Sequence, residues 1–427
     1  MMNNVIDELT WRGLIKETTD GLVDLVSSEK ITLYNGFDPT GDSLHIGHLV
    51  PLMALARFQR FGHTPIALAG GGTGMIGDPS GKSNERQLLT VEQIEANVAK
   101  MKLQLAHLLD FEIKSNPAML LNNIDWLGKL STFDFLRNVG KHFTVNYMMA
   151  KESVKARITR DQGISYTEFS YMLLQSYDFL YLFDHYGCKV QAGGTDQWGN
   201  ITAGTELIRK VRGAGAQALA YPLITRADGT KFGKTADGQS VWLDAQKTSP
   251  FRFYQFWVNT GDGDVINYLK YFTWLGRTEI EQLQAEIAVS PETRSAQYAL
   301  ARAMTAMIHG VDGLANAEKA SAALFGGSID GLSGAEIEDI FADVPRAEIA
   351  KELVLGDGIN LTDLLSIAQV CSSKGEAKRL IENGGISINN QRIDDAKQSI
   401  GLNVFIEGKY LVIRRGKKNY HLVKLVG

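Results

Sequence analysis

His45 and His48 stand three residues apart, with Ile46 and Gly47 between them, inside the run ITLYNGFDPTGDSLHIGHLVPLMALARFQRFG. At that spacing two imidazoles share one face of a helix. In a helix's first turn, unpaired backbone N–H groups and the dipole add attraction for an anion. Gly47 leaves room for a flat ligand to approach the backbone. This is a phosphate site with nitrogen donors, suited to ATP; a chance surface pair or half of a metal site are the other readings of so short a motif. A second cationic group lies far downstream in A-D-G-T-K-F-G-K-T, where Lys231 and Lys234 precede Thr235 on a glycine-rich loop. Two ammonium groups on a flexible loop suit a clamp closing on a triphosphate.

A third group of side chains could surround a small polar molecule. Tyr171, Gln175 and Asp178 fall at i, i+4 and i+7 of TEFSYMLLQSYDFLYLFDHYG, so one face of a strong helix carries a phenol, an amide and a carboxylate. The neighbours are strongly apolar, which suits a solvated face poorly. Asp78 closes the loop GGGTGMIGD and either meets a ligand amine or forms a turn beside Pro79. Lys82 and Arg86 follow, as phosphate contacts or as solvated charges. Lys189 to Gly199, KVQAGGTDQWG, reads as a strand ending in glycines before a helix. The polar groups at that junction are Gln191, Asp196 and Gln197, and α/β folds bind ligands at such strand ends.

These residues need a scaffold. Ile31, Leu33 and Tyr34 give a short strand, and Gly36, Asp38, Pro39 and Gly41 are turn formers. Asp42 or Ser43 caps the following helix, whose apolar stripe runs through Leu49, Leu52, Met53, Leu55 and Phe58. Pro51 falls inside that pattern, where proline costs about 3 kcal/mol and bends the axis. HTPIALA is a buried second strand, and strand–helix–strand implies a parallel sheet. Gly72 to Gly77 is a literal G-x-G-x-x-G, but no helix opens inside it; the next helical pattern starts near Thr90, which speaks against dinucleotide binding. Further strands are expected at MLLNN and at 221–225, and residues 5–28 read as helical. Phe251, Phe253, Tyr254, Phe256 and Trp257 are the expected core of a helical stretch at 249–325.

Composition sets the class. Hydrophobic content of 44% and charged content of 22% are those of a globular protein, and 427 residues allow two or three domains. Net charge is −4, yet the stretch 371–427 holds 11 Lys and Arg against 5 Asp and Glu, leaving −10 for the remainder. A basic tail on an acidic body is expected of an appended RNA-binding module. Lys374, Lys378 and Arg379 cluster on one helical segment there, and Arg414, Arg415, Lys417 and Lys418 near a hairpin. Two cysteines exclude a disulfide framework or a four-cysteine zinc site. No secretory signal or membrane span is expected, so the cytoplasm is the expected compartment.

H-I-G-H followed far downstream by K-F-G-K-T resembles the signature pair of class I aminoacyl-tRNA synthetases, with the second motif in the form found in bacterial-type tyrosyl-tRNA synthetases. Tyr34, Asp78, the Tyr171–Gln175–Asp178 helix and the segment G-G-T-D-Q-W-G-N resemble that family's substrate pocket, and the tail from about residue 360 is similar to its S4 RNA-binding module. The resemblance implies an α/β, Rossmann-like doubly wound parallel sheet over 1–225 with a dimer-forming insertion near 118–165. It further implies a lysine loop and α-helical domain over 226–325, a linker over 326–358, and a small α+β S4-like domain over 359–427. It implies that Tyr34 and Asp178 bind the tyrosine hydroxyl, that Tyr171, Asp78 and Gln175 hold its ammonium, and that Gln191 also binds tyrosine. Gly36, Asp38, Gly194 and Asp196 would meet adenosine or ribose, and Gln197 the aminoacyl carbonyl. Thr40, His45, Gly47, His48, Lys231, Lys234 and Thr235 would meet the phosphates of ATP, which brings Mg²⁺ with it; no protein-bound metal is implied. The implied partners are tRNA(Tyr) and a second copy of the chain. A tryptophanyl enzyme, a dinucleotide-dependent oxidoreductase and a non-catalytic RNA-binding protein are the competing functions. Tyr34 and Asp178 favour a phenol over an indole.

Overall fold

The computed structural model describes residues 4–80, 89–159, 163–230, 232–234 and 238–427. The chain folds as two compact units, one of residues 1–248 with 256–308 and one of residues 249–255 with 309–427.

The first unit is built on a six-stranded sheet of β1 (Glu17–Thr18), β2 (Thr32–Phe37), β3 (Thr64–Ala69), β4 (Met119–Asn122), β5 (Cys188–Gly194) and β6 (Gln217–Tyr221). The spatial order is β1-β6-β5-β2-β3-β4, parallel except for β1 at its edge. The chain leaves β2 toward β3 and β4 on one side, then resumes at β5 and β6 on the other. The C-terminal ends of β2 and β5 therefore flank the switch point, where open α/β sheets hold ligands. Ile66, Ala67 and Ala69 of β3 and Ala218, Leu219 and Ala220 of β6 are fully buried, as the near-continuous apolar runs of parallel strands require.

Local chemistry moved several expected boundaries. Residues 5–28 form two short helices, Val5–Trp11 and Leu22–Ser28, because Gly13 and Gly21 take φ of 74° and 89° on either side of β1. The last strand of this sheet ends at Tyr221 rather than starting there, since Pro222 has no N–H for the ladder. Pro51 is the third residue of the helix Leu49–Arg60, where its missing N–H has no intrahelical acceptor to lose. The proline penalty expected from the sequence therefore does not arise. Neither Asp42 nor Ser43 caps this helix: Ser43 Oγ donates to Leu44 O (2.7 Å), and Asp42 pairs with Lys100 (3.4 Å) and Lys247. The long polar-faced helix spans Tyr166–Tyr186, started by the Ser165 hydroxyl and stopped by Gly187 at φ 59°.

Four helices follow: Pro250–Val258, Asp262–Phe272, Arg277–Val289 and Ser295–Leu324. Phe253, Tyr254 and Trp257 are core as expected, while Phe251 and Phe256 are half-buried. The last helix is broken at Gly310 (φ 74°, ψ 177°), close to the division between the units.

The second unit carries a five-stranded sheet in the order Gln391–Arg392, Ile386–Ile388, Tyr410–Arg415, Asn419–Val426 and Arg346–Ala350. Asn389 and Asn390, both at positive φ, make the expected two-residue hairpin between the first two. Leu364 and Ala377 of the helices Leu361–Ile367 and Lys374–Glu382 pack on Ile386 and Leu411. The expected linker over 326–358 is folded instead. Residues 346–350 pair in parallel with Asn419–Val426, and Ile337, Phe341 and Ile349 are buried. The seven acids of 331–357 suggested a tether, but apolar residues at intervals among them are enough to build a core edge. Among the described residues no helix is long and apolar enough to cross a membrane.

Candidate active site

Tyr34 on β2 lies directly opposite Gln191 on β5 in the parallel ladder, at the switch point. Both side chains are buried, and among the described residues neither Tyr34 Oη nor Gln191 Oε1 has a hydrogen-bond partner. Buried polar atoms of this kind are normally satisfied, so a polar ligand group fits here. The Tyr34 ring packs on Phe179 at 5.4 Å, which ties β2 to the Tyr166–Tyr186 helix. Burial, and secondarily Asp178, push the Tyr34 phenol well above its ordinary pKa, so it is neutral and acts as donor or acceptor.

Asp178 is 2% exposed and is held from two sides. Trp126 Nε1 donates to Oδ1 (2.7 Å) and Asn123 Nδ2 donates to Oδ2 (2.9 Å). Burial raises its pKa to about 7, while the Asn123 and Trp126 hydrogen bonds pull it back. Asn123 also donates to Thr73 Oγ1 (3.0 Å) and accepts from Gly72 N (2.7 Å), and Thr73 Oγ1 in turn donates to Asp38 Oδ1 (2.8 Å). Tyr171 Oη donates to Asp38 Oδ2 (2.9 Å). Asp38 was expected to meet adenosine; here it first holds Thr73 and Tyr171. Asn123, Trp126 and Thr73 were missed from the sequence. An asparagine and a tryptophan beside β4 look like turn and core residues until the fold brings them to Asp178.

A second network surrounds Asp78, whose Oδ1 accepts from Ser80 N (2.8 Å) and Oδ2 from Gln197 Nε2 (2.6 Å). Asn200 Nδ2 then bridges Gln197 Oε1 and Gln175 Oε1, each at 3.2 Å. Burial raises the Asp78 pKa to about 6, Ser80 N lowers it, and Asp38 raises it further. The fold thus joins Asp78, Gln175 and Gln197, three residues far apart in sequence. Gln197 is committed to Asp78 in this state rather than facing outward. Asn200 and Ser80 were also missed.

The His45–Ile46–Gly47–His48 turn is a short 3₁₀ segment. Its cap is made by the imidazoles themselves: Gly47 N donates to His45 Nδ1 and His45 N donates to His48 Nδ1, each at 3.1 Å, and the ring centroids are 4.0 Å apart. A ring nitrogen that accepts carries no proton, so each neutral imidazole has its proton on Nε2 as a donor. Gly47 leaves room for the His45 ring, since a Cβ there would sit 2.8 Å from His45 Cε1. The lysine loop is stitched to this turn. Ile46 N donates to Val241 O (3.0 Å), Leu243 N to Leu44 O (2.9 Å) and Val241 N to Gly233 O (3.2 Å). Lys234 is exposed beside this link. Two motifs nearly 200 residues apart become neighbours.

Gly36 and Thr40 are exposed at the end of β2, where Thr40 N donates to Asp38 O (2.8 Å). Gly194 ends β5, and exposed Asp196 follows it. Lys82, Arg86, Lys231 and Thr235 lie outside the described residues. The G-x-G-x-x-G segment is a 3₁₀ turn, and the next helix opens at Val91 with Thr90 as cap, as the spacing predicts. Among the described residues no three His, Cys, Asp or Glu side chains could hold a metal. In the second unit Lys374, Lys378 and Arg379 are exposed on one helix, with Lys374 paired to Asp363 (2.7 Å). Arg414 and Arg415 are half-buried; Arg415 binds Glu376 (2.8 Å) and Val370 O (2.9 Å), an internal tie between helix and sheet.

A doubly wound sheet whose switch point is met by such a histidine turn and lysine loop defines a class I aminoacyl-tRNA synthetase. The family model for class I tRNA synthetases (W and Y) matches residues 27–326, and that for the tyrosine–tRNA ligase SYY-like C-terminal domain matches 336–423. The tyrosine–tRNA ligase of Roseiflexus castenholzii is 59% identical over 425 residues, covering 100% of both chains. That of Geobacillus stearothermophilus is 54% identical over 424 residues, covering 99% of each. Among solved structures, a C-terminally truncated mitochondrial tyrosyl-tRNA synthetase of Aspergillus nidulans superposes with a TM-score of 0.69 at 31% identity, covering 75% of this chain and 94% of that one. The chain belongs to the tyrosine–tRNA ligase family.

Proposed function

We propose that this protein activates L-tyrosine with ATP and transfers it to the 3′ end of tRNA(Tyr). The observation that carries this reading is the pair of buried carboxylates, Asp178 beside Tyr34 and Asp78 beside Gln197 and Gln175. The first offers an acceptor and a hydroxyl to a phenol; the second offers an acceptor to an ammonium. Tyr171 is held by Asp38 so that its oxygen can accept from that same ammonium.

In the first step the tyrosine carboxylate attacks the α-phosphorus in line, the bond to the β-phosphate oxygen breaks, and pyrophosphate leaves. No side chain acts as nucleophile, so the rate enhancement rests on placement and electrostatics. ATP enters as its Mg²⁺ complex. The Nε2–H groups of His45 and His48 donate to the phosphates, and Lys234, with Lys231 and Thr235 beside it in sequence, offsets the charge on the departing pyrophosphate. Thr40 joins them, while Gly36, Gly194 and Asp196 line the nucleoside side. In the second step a terminal ribose hydroxyl of tRNA attacks the tyrosyl carbonyl and AMP leaves. The exposed cations of the second unit bind RNA phosphates, and the protein works in the cytoplasm.

The insertion supports a homodimer. Phe133 is 85% exposed, and Leu136, Val145 and Met149 are exposed on the same segment, apolar side chains that a partner copy would cover. Sedimentation reads this directly. Transfer of labelled tyrosine to tRNA, dependent on ATP, tests the main reading; charging with tryptophan instead would overturn it.

A further inference from the structure

We propose that Arg57, with Arg12 beside it, is a positioning residue for tyrosine activation: it sets the lysine loop against the histidine turn by gripping the end of the helix Asp262–Phe272. The inference rests on the reaction proposed above.

Arg57 lies on the helix that follows the histidine turn and is 1% exposed. Its Nη1 donates to Tyr271 O (2.9 Å), and its Nη2 to Thr273 O (3.0 Å) and Lys270 O (3.2 Å). Arg12 is 3% exposed and reaches the same place, with Nη1 on Lys270 O (2.8 Å) and Thr273 O (3.2 Å) and Nη2 on Leu275 O (2.9 Å). Arg60 lays its guanidinium over the Trp274 ring at 3.3 Å. Lys270 O and Tyr271 O are among the last carbonyls of that helix and Thr273 O belongs to its C-cap, where the macrodipole is negative and intrahelical donors have run out; Leu275 O lies just beyond. Glu8, bonded to Arg12 Nε, is the carboxylate that pairs with this site.

Two adjacent buried cations are an expensive way to join two helices; apolar packing would do it with less desolvation. What guanidinium forks add is a fixed direction and register. That register matters because of what the gripped helix holds. Tyr268 and Phe272 on it pack against Phe232 at 5.0 and 5.2 Å, and Trp257 adds a contact at 6.0 Å. Phe232 is the residue between Lys231 and Gly233 in the lysine loop. The loop is therefore pinned at two points, by the Phe232 ring in this aromatic cluster and by Gly233 O on Val241 N. One pin is set by the histidine turn directly, the other by its helix through Arg57. A shift of about 1 Å at the gripped end would misplace the ammonium groups on the leaving pyrophosphate.

The test uses the full chain with Arg57→Met, Arg57→Lys, Phe232→Leu and the Arg57/Phe232 double variants, each read for tyrosine Kd, single-turnover adenylate formation and thermal unfolding. Arg57→Met should leave tyrosine Kd within about twofold while slowing adenylate formation roughly 10- to 100-fold at temperatures where the protein is folded. Arg57→Lys should recover little, since a lysine lacks the fork. Adding Phe232→Leu to either should cost little more than the worse single change, because both act through one contact chain. If Arg57→Met does not fold, Arg57→Lys is read in the same cycle. A lower unfolding temperature with an unchanged adenylate rate would overturn the positioning role, and so would losses that multiply. Wild-type protein that forms no tyrosyl-adenylate would overturn the functional reading instead.

Discussion

The Asn123 amide donates to Asp178 at 2.9 Å and so fixes the carboxylate that faces Tyr34. Its second amide hydrogen is spent on Thr73, and its oxygen on Gly72 N, leaving it no other orientation. Asn123→Ala removes one donor from a buried carboxylate, a loss of about 1.5–3 kcal/mol. Tyrosine Kd, measured by equilibrium dialysis, should rise by roughly 10- to 100-fold with little change in KM for ATP. An unchanged Kd would mean that Trp126 alone holds Asp178.

Asp178 and Asp78 give the site a pH dependence with a definite sign. Burial raises both, to about 7 and about 6, and in the proposed site each must be ionised to accept from the hydroxyl and ammonium of tyrosine. Tyrosine should bind more tightly as pH rises through that window, with Asp38, Tyr34 and Tyr171 as the neighbouring titratable groups. Stability runs the other way. A carboxyl whose folded pKa exceeds its unfolded value of about 4 stabilises the fold below that value, and the contribution is lost as pH rises through the folded pKa. Asp178→Asn should therefore gain stability relative to wild type as pH rises from about 4 to about 7 in denaturant titrations of the ligand-free protein. A difference that stays flat with pH would contradict the raised value.

His45 caps the turn and, in the proposed reaction, also donates to phosphate; the two roles separate by experiment. As a cap its Nδ1 accepts from Gly47 N, and loss of a cap costs about 1 kcal/mol of stability. As a phosphate donor it should matter far more: His45→Ala should slow adenylate formation on the order of 100-fold or more, with tyrosine Kd near normal. A stability loss without a rate loss would confine the residue to the turn.

The basic tail separates from activation only if the cut respects the fold. Truncation near residue 355 leaves Ile337, Phe341 and Ile349 without the sheet strand that 346–350 pairs with, so that fragment should aggregate. Charge reversal is the cleaner probe. Lys417→Glu with Lys418→Glu alters exposed side chains only and should lower tRNA charging while making its fall with added salt shallower than in wild type, since fewer counterions are released on binding; tyrosine activation stays at the wild-type rate. Equal loss of both activities would contradict the assignment of these cations to RNA.

Much of this site was legible in the sequence because its residues sit in motifs with their own local periodicity. Tyr171, Gln175 and Asp178 share a helix face whatever the fold, and the glycine-ended strand at Gln191 announces a switch point. Asn123, Trp126 and Asn200 were not legible. Each acts by holding another side chain, and the pairing exists only once β4 and the helix Trp198–Arg212 are packed in place. The acidic stretch before residue 358 misled for a related reason: charge dominates its composition, whereas Ile337, Phe341 and Ile349 decide where it goes. Pro51 shows that a residue's penalty depends on its position in the turn, which periodicity alone leaves open by several residues.

In the proposed reaction the switch point between β2 and β5 selects tyrosine and joins it to ATP without help from RNA. ATP–pyrophosphate exchange in the absence of tRNA, run with tyrosine, phenylalanine and tryptophan separately, measures this most directly. Exchange should be strong with tyrosine and far weaker with the other two, since phenylalanine leaves Asp178 and Tyr34 unpaired and tryptophan brings an indole in place of the phenol. Equal exchange with phenylalanine, or exchange with tryptophan in place of tyrosine, would contradict selection of the phenol by Tyr34 and Asp178.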